Sequence, residues 1–331
     1  MMEEIKKTPD TENEYLLEVK NLVKWFPIKS SFFKQTIGNV RAVDGISFKI
    51  KRGQTMGLVG ESGCGKSTAG RTILRLLEKT SGEVWFDGKE IFSLSKEELR
   101  RMRPRMQIVF QDPYASLDPR MTVGSIIEEG MIIHNMYDAK RRQERVAELL
   151  SIVGLNREHA NRFPHEFSGG QRQRIGIARA LAIEPEFIVW DEPISALDVS
   201  LQAQIVQMLQ DLQEKYGLTY LFISHQLQVV QKICDEIGVL YLGNLMEIAD
   251  ADKLYSNPLH PYTKMLISSI PVPDPRVKTL DQIVTDNGVQ SRSIGGCRFH
   301  NRCPWCEERC RQEVPLLREA EPGHLVACHK Y

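Results

Sequence analysis

The sequence predicts an α/β fold in which a mostly parallel sheet carries helices on its faces. A glycine-rich loop, residues 60–68, separates a strand-like segment, 54–59, from a segment with helical spacing, 69–77. A second apolar segment, 187–190, leads directly into two carboxylates, and a third spans 218–223. Apolar strands that alternate with helical segments in this way are typical of parallel sheets.

The composition sets the outer limits of the fold. With 331 residues, 42% hydrophobic and 26% charged, the chain can bury one large core plus a smaller appended domain. Its 43 basic and 43 acidic residues cancel, which argues against a general nucleic-acid binder. No apolar stretch approaches the roughly 20 residues of a membrane-spanning helix, and residues 1–14, charged and without a signal-peptide pattern, are expected to be disordered. We therefore expect a cytosolic protein that can dock on membrane proteins.

Two further strands and a helical insertion complete the predicted elements. Segments 15–19 and 42–48 alternate like strands, and the polar segment 28–40 between them is interpreted as a surface hairpin. Charged helical patterns at 94–103 and 138–153 predict a helical insertion after the glycine-rich loop.

The glycine-rich loop is built to wrap phosphate groups. Its glycines let successive N–H groups point at one anion, and the following helix adds the partial positive charge of its N-terminus. In the pattern G-x-x-x-x-G-K-S, the lysine reaches the β- and γ-phosphates and the serine hydroxyl binds Mg²⁺. The residues predicted to contact nucleotide here are Gly60, Ser62, Gly63, Cys64, Gly65, Lys66, Ser67 and Thr68.

The apolar strand 187–190 delivers Asp191 and Glu192 to the carboxyl edge of the sheet. Ligands of such sheets bind at this edge, beside the phosphate-binding loop. Asp191 is predicted to hold Mg²⁺ through water. Glu192 is predicted to orient or deprotonate the attacking water, because phosphoryl transfer depends mainly on positioning and charge neutralisation.

The residues after Phe167 are predicted to begin a helix whose N-terminus forms a second anion-binding site. One nucleotide needs only one phosphate-binding loop, so this second site needs another explanation. The residues are Ser168, Gly169, Gly170 and Gln171. Together these motifs resemble the ATP-binding subunit of an ATP-binding cassette (ABC) transporter, whose Leu-Ser-Gly-Gly-Gln signature appears here with Phe167 in place of Leu. The resemblance implies a P-loop NTPase core with a helical subdomain. It also implies a head-to-tail dimer, in which each signature clamps the γ-phosphate held by the other subunit.

The same resemblance assigns a role to each of several further residues. Gln111 corresponds to the Q-loop glutamine that contacts Mg²⁺ and the water, His225 to the switch histidine, and Asp198 to the D-loop aspartate. Phe26, with Trp25 as runner-up, corresponds to the aromatic residue that stacks on adenine. The implied Mg²⁺ ligands are Ser67, Gln111 and Asp191, and the implied catalytic residues are Lys66, Gln111, Glu192 and His225. The sequence departs from the family at Gln226, where Asp is usual, so the coupling between switch and D-loop is in question.

Residues 257–263 narrow the resemblance to the oligopeptide and dipeptide import branch. This branch implies two homologous ATPases, two membrane permease subunits and an external substrate-binding protein, with the chain on the cytoplasmic side of the membrane. The expected domains are the nucleotide-binding domain, 15–256, with its helical subdomain at about 112–182, and a small Cys-rich domain, 257–331, beyond a proline-rich link.

Several alternatives stay open at this stage. The cargo could instead be an oligosaccharide or a nickel chelate, and the dimer could be formed with itself or with a homologous ATPase. A redox-sensing role for the C-terminal region is compatible with transport. A soluble ATPase of translation or DNA repair would carry two cassettes or a long coiled coil, and neither pattern is visible.

Five of the seven cysteines lie in the last segment, which in a cytosolic protein favours metal over disulfides. The resemblance implies a [4Fe–4S] cluster on Cys297, Cys303, Cys310 and Cys328, with Cys306 as an extra thiol. Structural zinc and unmetallated thiols are the alternatives.

Overall fold

The computed structural model describes residues 14–29, 36–195, 197–270 and 295–331. Three predictions fall partly outside these residues, namely the disorder of 1–14, the surface hairpin at 28–40 and the proline-rich link. The strands are β1 (Tyr15–Lys29), β2 (Thr36–Lys51), β3 (Thr55–Val59), β4 (Ser81–Phe86), β5 (Lys89–Glu90), β6 (Met106–Val109), β7 (Phe187–Asp191), β8 (Thr219–Ser224), β9 (Glu236–Tyr241), β10 (Asn244–Asp250), β11 (Arg318–Glu321) and β12 (His324–Val326). The α-helices are α1 (Lys66–Ile73), α2 (Lys96–Met102), α3 (Val123–Ile133), α4 (Ala139–Ile152), α5 (Gly169–Leu181), α6 (Val199–Tyr216), α7 (Leu227–Ile233), α8 (Ala251–Ser256), α9 (Pro261–Ser268) and α10 (Glu308–Gln312).

The main sheet has the strand order β11-β12-β10-β9-β3-β8-β7-β6. Strands β9, β3, β8, β7 and β6 pair in parallel. Strands β3, β7 and β8 are buried along their whole length, so they appear in the sequence as continuous apolar segments. This confirms the α/β prediction and brings the carboxyl ends of the predicted strands to one edge.

A second, antiparallel sheet has the order β2-β1-β4-β5. Its inner face packs Leu17, Phe48 and Phe86 against Ile73 of α1 in one buried core. The sequence predicted strands near β1 and β2 but not that they form a separate sheet. An alternating apolar and polar pattern predicts a strand with one covered face, but it does not show which strand pairs with it.

Helices α3, α4 and α5 lie between β6 and β7 in the chain. Of the two charged segments from which a helical insertion was predicted, 138–153 contains α4, whereas 94–103 contains α2, which precedes β6. Asp138 caps α4 by accepting a hydrogen bond from the Arg141 N–H at 2.8 Å. The apolar faces of the three helices join the main core, which contains Ile127, Leu149 and Ile175. Within the described ranges, no helix has both the length and the apolar character needed to cross a bilayer.

Two strands of the C-terminal segment extend the main sheet. Strand β12 pairs antiparallel with β10, and β11 adds to its outer side. Cys297 and Phe299 are buried in the same core as Trp190. One edge of β10 pairs with β9, and its other edge accepts β12, because a strand with open hydrogen-bonding groups at its edge can take on a further strand.

A buried carboxylate ties this region together. Glu247, fully buried in β10, accepts hydrogen bonds from the Leu259 N–H at 2.7 Å, the His260 N–H at 2.9 Å and His324 Nε2 at 2.7 Å. Burial lowers the pKa of His260 to about 4, and its neutral ring accepts a hydrogen bond from the Tyr262 N–H at 3.0 Å. These bonds attach residues 259 and 260 to the Glu247 side chain of β10, which His324 of β12 also contacts.

Candidate functional site

The phosphate-binding loop connects β3 to α1 and is shaped by its glycines. Gly60 and Gly65 have φ values of +152° and +112°. A Cβ atom at Gly60 would lie 2.1 Å from the Leu240 carbonyl oxygen, and one at Gly65 would lie 1.9 Å from that of Ala42. Neither position accepts a side chain, because backbone atoms of neighbouring strands close over the loop.

Lys66 begins α1 with its ammonium group turned into the loop. The side chain is buried, and Nζ donates hydrogen bonds to the carbonyl oxygens of Gly60 at 2.7 Å and Glu61 at 3.0 Å. These bonds hold a positive charge beside the N-terminus of α1, where backbone N–H groups attract anions. The arrangement suits the binding of a polyphosphate.

Ser67 and Asp191 form the oxygen-rich part of the site. The Ser67 hydroxyl donates to Asp191 Oδ1 at 2.6 Å, and Arg71 Nη2 lies 3.4 Å from Asp191 Oδ2. Asp191 is completely buried at the end of β7. A hydroxyl and a carboxylate are the hard oxygen ligands that Mg²⁺ prefers, so the residues present fit the predicted ion.

Three predicted catalytic residues meet at one carboxylate. Glu192 Oε2 accepts a hydrogen bond from Gln111 Nε2 at 3.1 Å and lies 3.3 Å from His225 Nδ1. Glu192 has φ +51°, a backbone conformation that is rare outside glycine and common at functional sites. The three side chains come from the ends of β6, β7 and β8, which parallel pairing places side by side.

A cleft of about 550 Å³ lies over the loop. Residues 62–68 line its floor, 38–42 of β2 line one wall, and Gln111, Glu192 and Arg298 complete it. Cys64 belongs to the floor, and burial raises the pKa of its thiol, which favours a packing role.

The predicted adenine-stacking residue lies beside this cleft rather than in its lining. Phe26 pairs across the sheet with Val40, which does line the cleft. The indole of Trp25 donates to Asp44 at 2.9 Å, and the Arg41 guanidinium covers its ring at 4.4 Å. Because its indole is already hydrogen-bonded and covered, Trp25 is a poorer candidate than Phe26 for stacking on adenine.

The signature residues start helix α5 outside the lining of the chain's own cleft. The Ser168 hydroxyl accepts from the Gln171 N–H at 3.4 Å, and Gln171 Oε1 accepts from the Ser168 N–H at 3.0 Å. This capping box leaves the N-terminus of α5 ordered. At Gly169 an added Cβ would meet nothing within 4 Å, so the described residues give no packing reason for a glycine there.

Asp198 caps helix α6, accepting hydrogen bonds from the Leu201 N–H at 3.0 Å and the Ser200 hydroxyl at 2.7 Å. The Ser200 hydrogen bond lowers the pKa of the carboxyl group. Gln226 follows His225 and donates its backbone N–H to the Ser224 hydroxyl at 3.0 Å.

Four C-terminal cysteines surround one small cavity of about 20 Å³. Its lining includes Cys297, Cys303, Cys310 and Cys328 but not Cys306. Burial, reinforced by the neighbouring thiols, raises the pKa of Cys297 to about 12 and that of Cys303 to about 11. In the part of the chain that the structure describes, no three His, Cys, Asp or Glu side chains are arranged to hold a metal ion.

Comparison with known proteins identifies the family. Residues 43–195 match the ABC transporter family, and residues 246–310 match the C-terminal region of oligopeptide/dipeptide transporters. The chain is 54% identical to the oligopeptide transport ATP-binding protein AppF of Bacillus subtilis (strain 168), over 96% of this chain and 98% of that protein. The chain belongs to the ABC transporter ATP-binding proteins.

Other relatives agree with this membership. The oligopeptide transport ATP-binding protein OppF of the same organism is 53% identical over 95% of this chain and 96% of its own length. Among solved structures, the dimeric ATP-binding cassette MJ0796 bound to ADP and Pi has a TM-score of 0.64 and 31% identity, covering 71% of this chain and 98% of that chain. The ABC fold expected from the phosphate loop and signature is therefore confirmed.

Sequence reasoning missed several residues of this ABC cleft. Arg298 and Leu242 line it although neither belongs to a recognised motif. Arg298 donates to Asp44 Oδ2 at 2.5 Å and to Asn244 Oδ1 at 3.1 Å. The turn after β9 reaches the loop through a hydrogen bond from the Gly243 N–H to the Cys64 carbonyl at 2.8 Å. No sequence pattern signals these contacts, because they join segments far apart in the chain.

Proposed function

We propose that this chain binds and hydrolyses ATP to energise the import of oligopeptides or dipeptides through an ABC transporter. The observation that carries the ATPase assignment is the convergence of Gln111, Glu192 and His225 beside the phosphate loop. The peptide assignment rests on the C-terminal region match and on relatives named for oligopeptide transport. The test is whether peptide stimulates ATP hydrolysis by the assembled transporter.

Each side chain has a role in hydrolysis. Lys66 and the start of α1 bind the phosphates, and Phe26 is the proposed contact for adenine. Ser67, Asp191 and the Gln111 amide oxygen would hold Mg²⁺, which when bound neutralises phosphate charge. Glu192 orients the attacking water or accepts its proton, while Gln111 and His225 hold the Glu192 carboxylate and respond to the γ-phosphate.

The second half of each ATP site is proposed to come from another ATPase subunit. Ser168, Gly169, Gly170 and Gln171 lie outside the lining of the chain's own cleft, and the open space at Gly169 leaves room for a phosphate. Asp198, the residue that caps α6, would couple the two ATP sites. Following the import branch, the partner is a homologous ATPase, and the assembly includes two membrane permease subunits and an external binding protein, with this chain on the cytoplasmic face.

The C-terminal cysteines are proposed to hold a [4Fe–4S] cluster. The support for this proposal is that Cys297, Cys303, Cys310 and Cys328 line one small cavity, and four thiolates are the ligand set that such a cluster takes. When bound, the cluster would cross-link the segment 297–328.

We expect protein purified without oxygen to contain about four iron and four sulfide per chain, with broad visible absorption. Cys310→Ser should lose most of the iron, since it removes one of the four ligands. Cys306→Ser should keep it, because Cys306 does not line the cavity. Metal and acid-labile sulfide analysis checks both variants. One zinc per chain without sulfide, or equal iron loss in the two variants, would contradict the cluster.

A further inference from the structure

Glu61, the second residue of the phosphate loop, is held by two C-terminal residues. Its backbone N–H donates a hydrogen bond to the Tyr262 hydroxyl at 3.0 Å. Its carboxylate accepts two hydrogen bonds from Arg302 Nη1, at 3.0 Å to Oε1 and 3.1 Å to Oε2. Tyr262 and Arg302 lie more than 200 positions from Glu61 in the chain. Two residues far along the chain, Tyr262 and Arg302, therefore hold the phosphate-binding loop in place.

The two C-terminal residues are themselves rigidly placed. The Tyr262 ring is fully buried and packs on Tyr241 at 4.5 Å and on Phe299 at 5.4 Å between ring centres. The Arg302 guanidinium lies 5.7 Å from the Phe299 ring centre and donates to Met265 Sδ at 3.3 Å. The buried Glu247 network fixes the backbone just before Tyr262, and the contacts with Phe299 and Met265 hold the Arg302 guanidinium in place.

Glu61 also reaches the phosphate-binding lysine. Its carbonyl oxygen accepts a hydrogen bond from Lys66 Nζ at 3.0 Å. Glu61 thus links Tyr262 and Arg302 to the Lys66 ammonium group, which is proposed to contact phosphate. A displacement of Glu61 would move the carbonyl oxygen that orients Lys66.

We propose that Arg302 and Tyr262 are positioning residues for ATP binding, which act through Glu61 on the phosphate loop and on Lys66. The inference rests on the proposed ATP-binding function and deepens it, since it makes the C-terminal segment part of the nucleotide site. Arg302 directly precedes Cys303. The segment that carries the cysteines would then also help to position the phosphate-binding loop.

The test compares Arg302→Ala and Tyr262→Phe with the wild type in the assembled transporter. We expect Arg302→Ala to raise the KM for ATP about tenfold and Tyr262→Phe about threefold, with kcat within about twofold in both. Arg302→Lys should recover part of the loss, because it keeps the charge without the planar guanidinium. The matched control is Arg309→Ala, which removes an exposed pair with Glu313 in the same segment and should change nothing.

A double-mutant cycle with Glu61→Gln separates positioning from general stability. In that background Arg302→Ala should add less than twofold to the KM, because its partner charge is already gone. A KM unchanged by both Arg302→Ala and Tyr262→Phe would overturn the inference, and so would a full, independent effect of Arg302→Ala in the Glu61→Gln protein. Failure of the wild type to bind ATP would instead overturn the proposed function.

Discussion

Replacing Glu192 with glutamine should lower ATP turnover about a thousandfold while ATP binding is retained. The amide keeps the size of the side chain and its contacts with Gln111 and His225, 3.1 and 3.3 Å away, but cannot accept a proton. Steady-state phosphate release measures turnover, and calorimetric titration of ATP measures binding.

The same variant reports on the dimer. With hydrolysis blocked, ATP should hold this chain in a stable complex with the proposed homologous ATPase, which light scattering would detect as a dimer of the two. Unchanged phosphate release would remove Glu192 from its assigned role. An ATP-dependent dimer of this chain with itself, in the presence of the homologue, would contradict the proposed pairing.

Replacing Lys66 with alanine should weaken ATP binding about a hundredfold, a larger binding effect than any other single change considered. The substitution removes the buried charge at the phosphates. It also removes the two hydrogen bonds from Nζ to the Gly60 and Glu61 carbonyl oxygens, so the loop loses an internal tie. Equilibrium titration with ATP in the presence of Mg²⁺ measures the dissociation constant.

Lys49→Ala is the matched control for Lys66→Ala. Lys49 pairs with Glu18 at 3.1 Å on the antiparallel sheet, and its half-exposed side chain contributes little to stability. We expect its ATP affinity to equal that of the wild type. Normal ATP affinity in Lys66→Ala would refute the phosphate-loop assignment.

Local sequence patterns predicted the strand, loop and helix that form the phosphate-binding loop. The places of the loop glycines, of Lys66 and Ser67, and of the two carboxylates at the end of β7 could be predicted, because each belongs to a short segment whose spacing has a mechanical reason. Gln111 and His225 came from family resemblance, and parallel pairing of β6, β7 and β8 explains why they meet Glu192.

Contacts between distant segments were not predictable. Arg302 and Tyr262 contact Glu61, and Arg298 lines the cleft. These contacts depend on how the C-terminal part of the chain packs against β9 and β10. The attachment of β11 and β12 to the main sheet was missed for the same reason. The two strands have only four and three residues, and a segment that short is too brief for its pattern to predict a strand or its pairing partner.

The most direct test of the central claim is ATP hydrolysis by the transporter assembled in vesicles with its homologous ATPase, permease subunits and binding protein. Hydrolysis should rise several-fold when the binding protein is loaded with an oligopeptide or dipeptide, and this rise should vanish when this chain carries Glu192→Gln. An oligosaccharide and a nickel chelate serve as the cargo controls. Hydrolysis that responds to either control cargo but not to peptide would contradict the account, and so would a peptide response that survives Glu192→Gln.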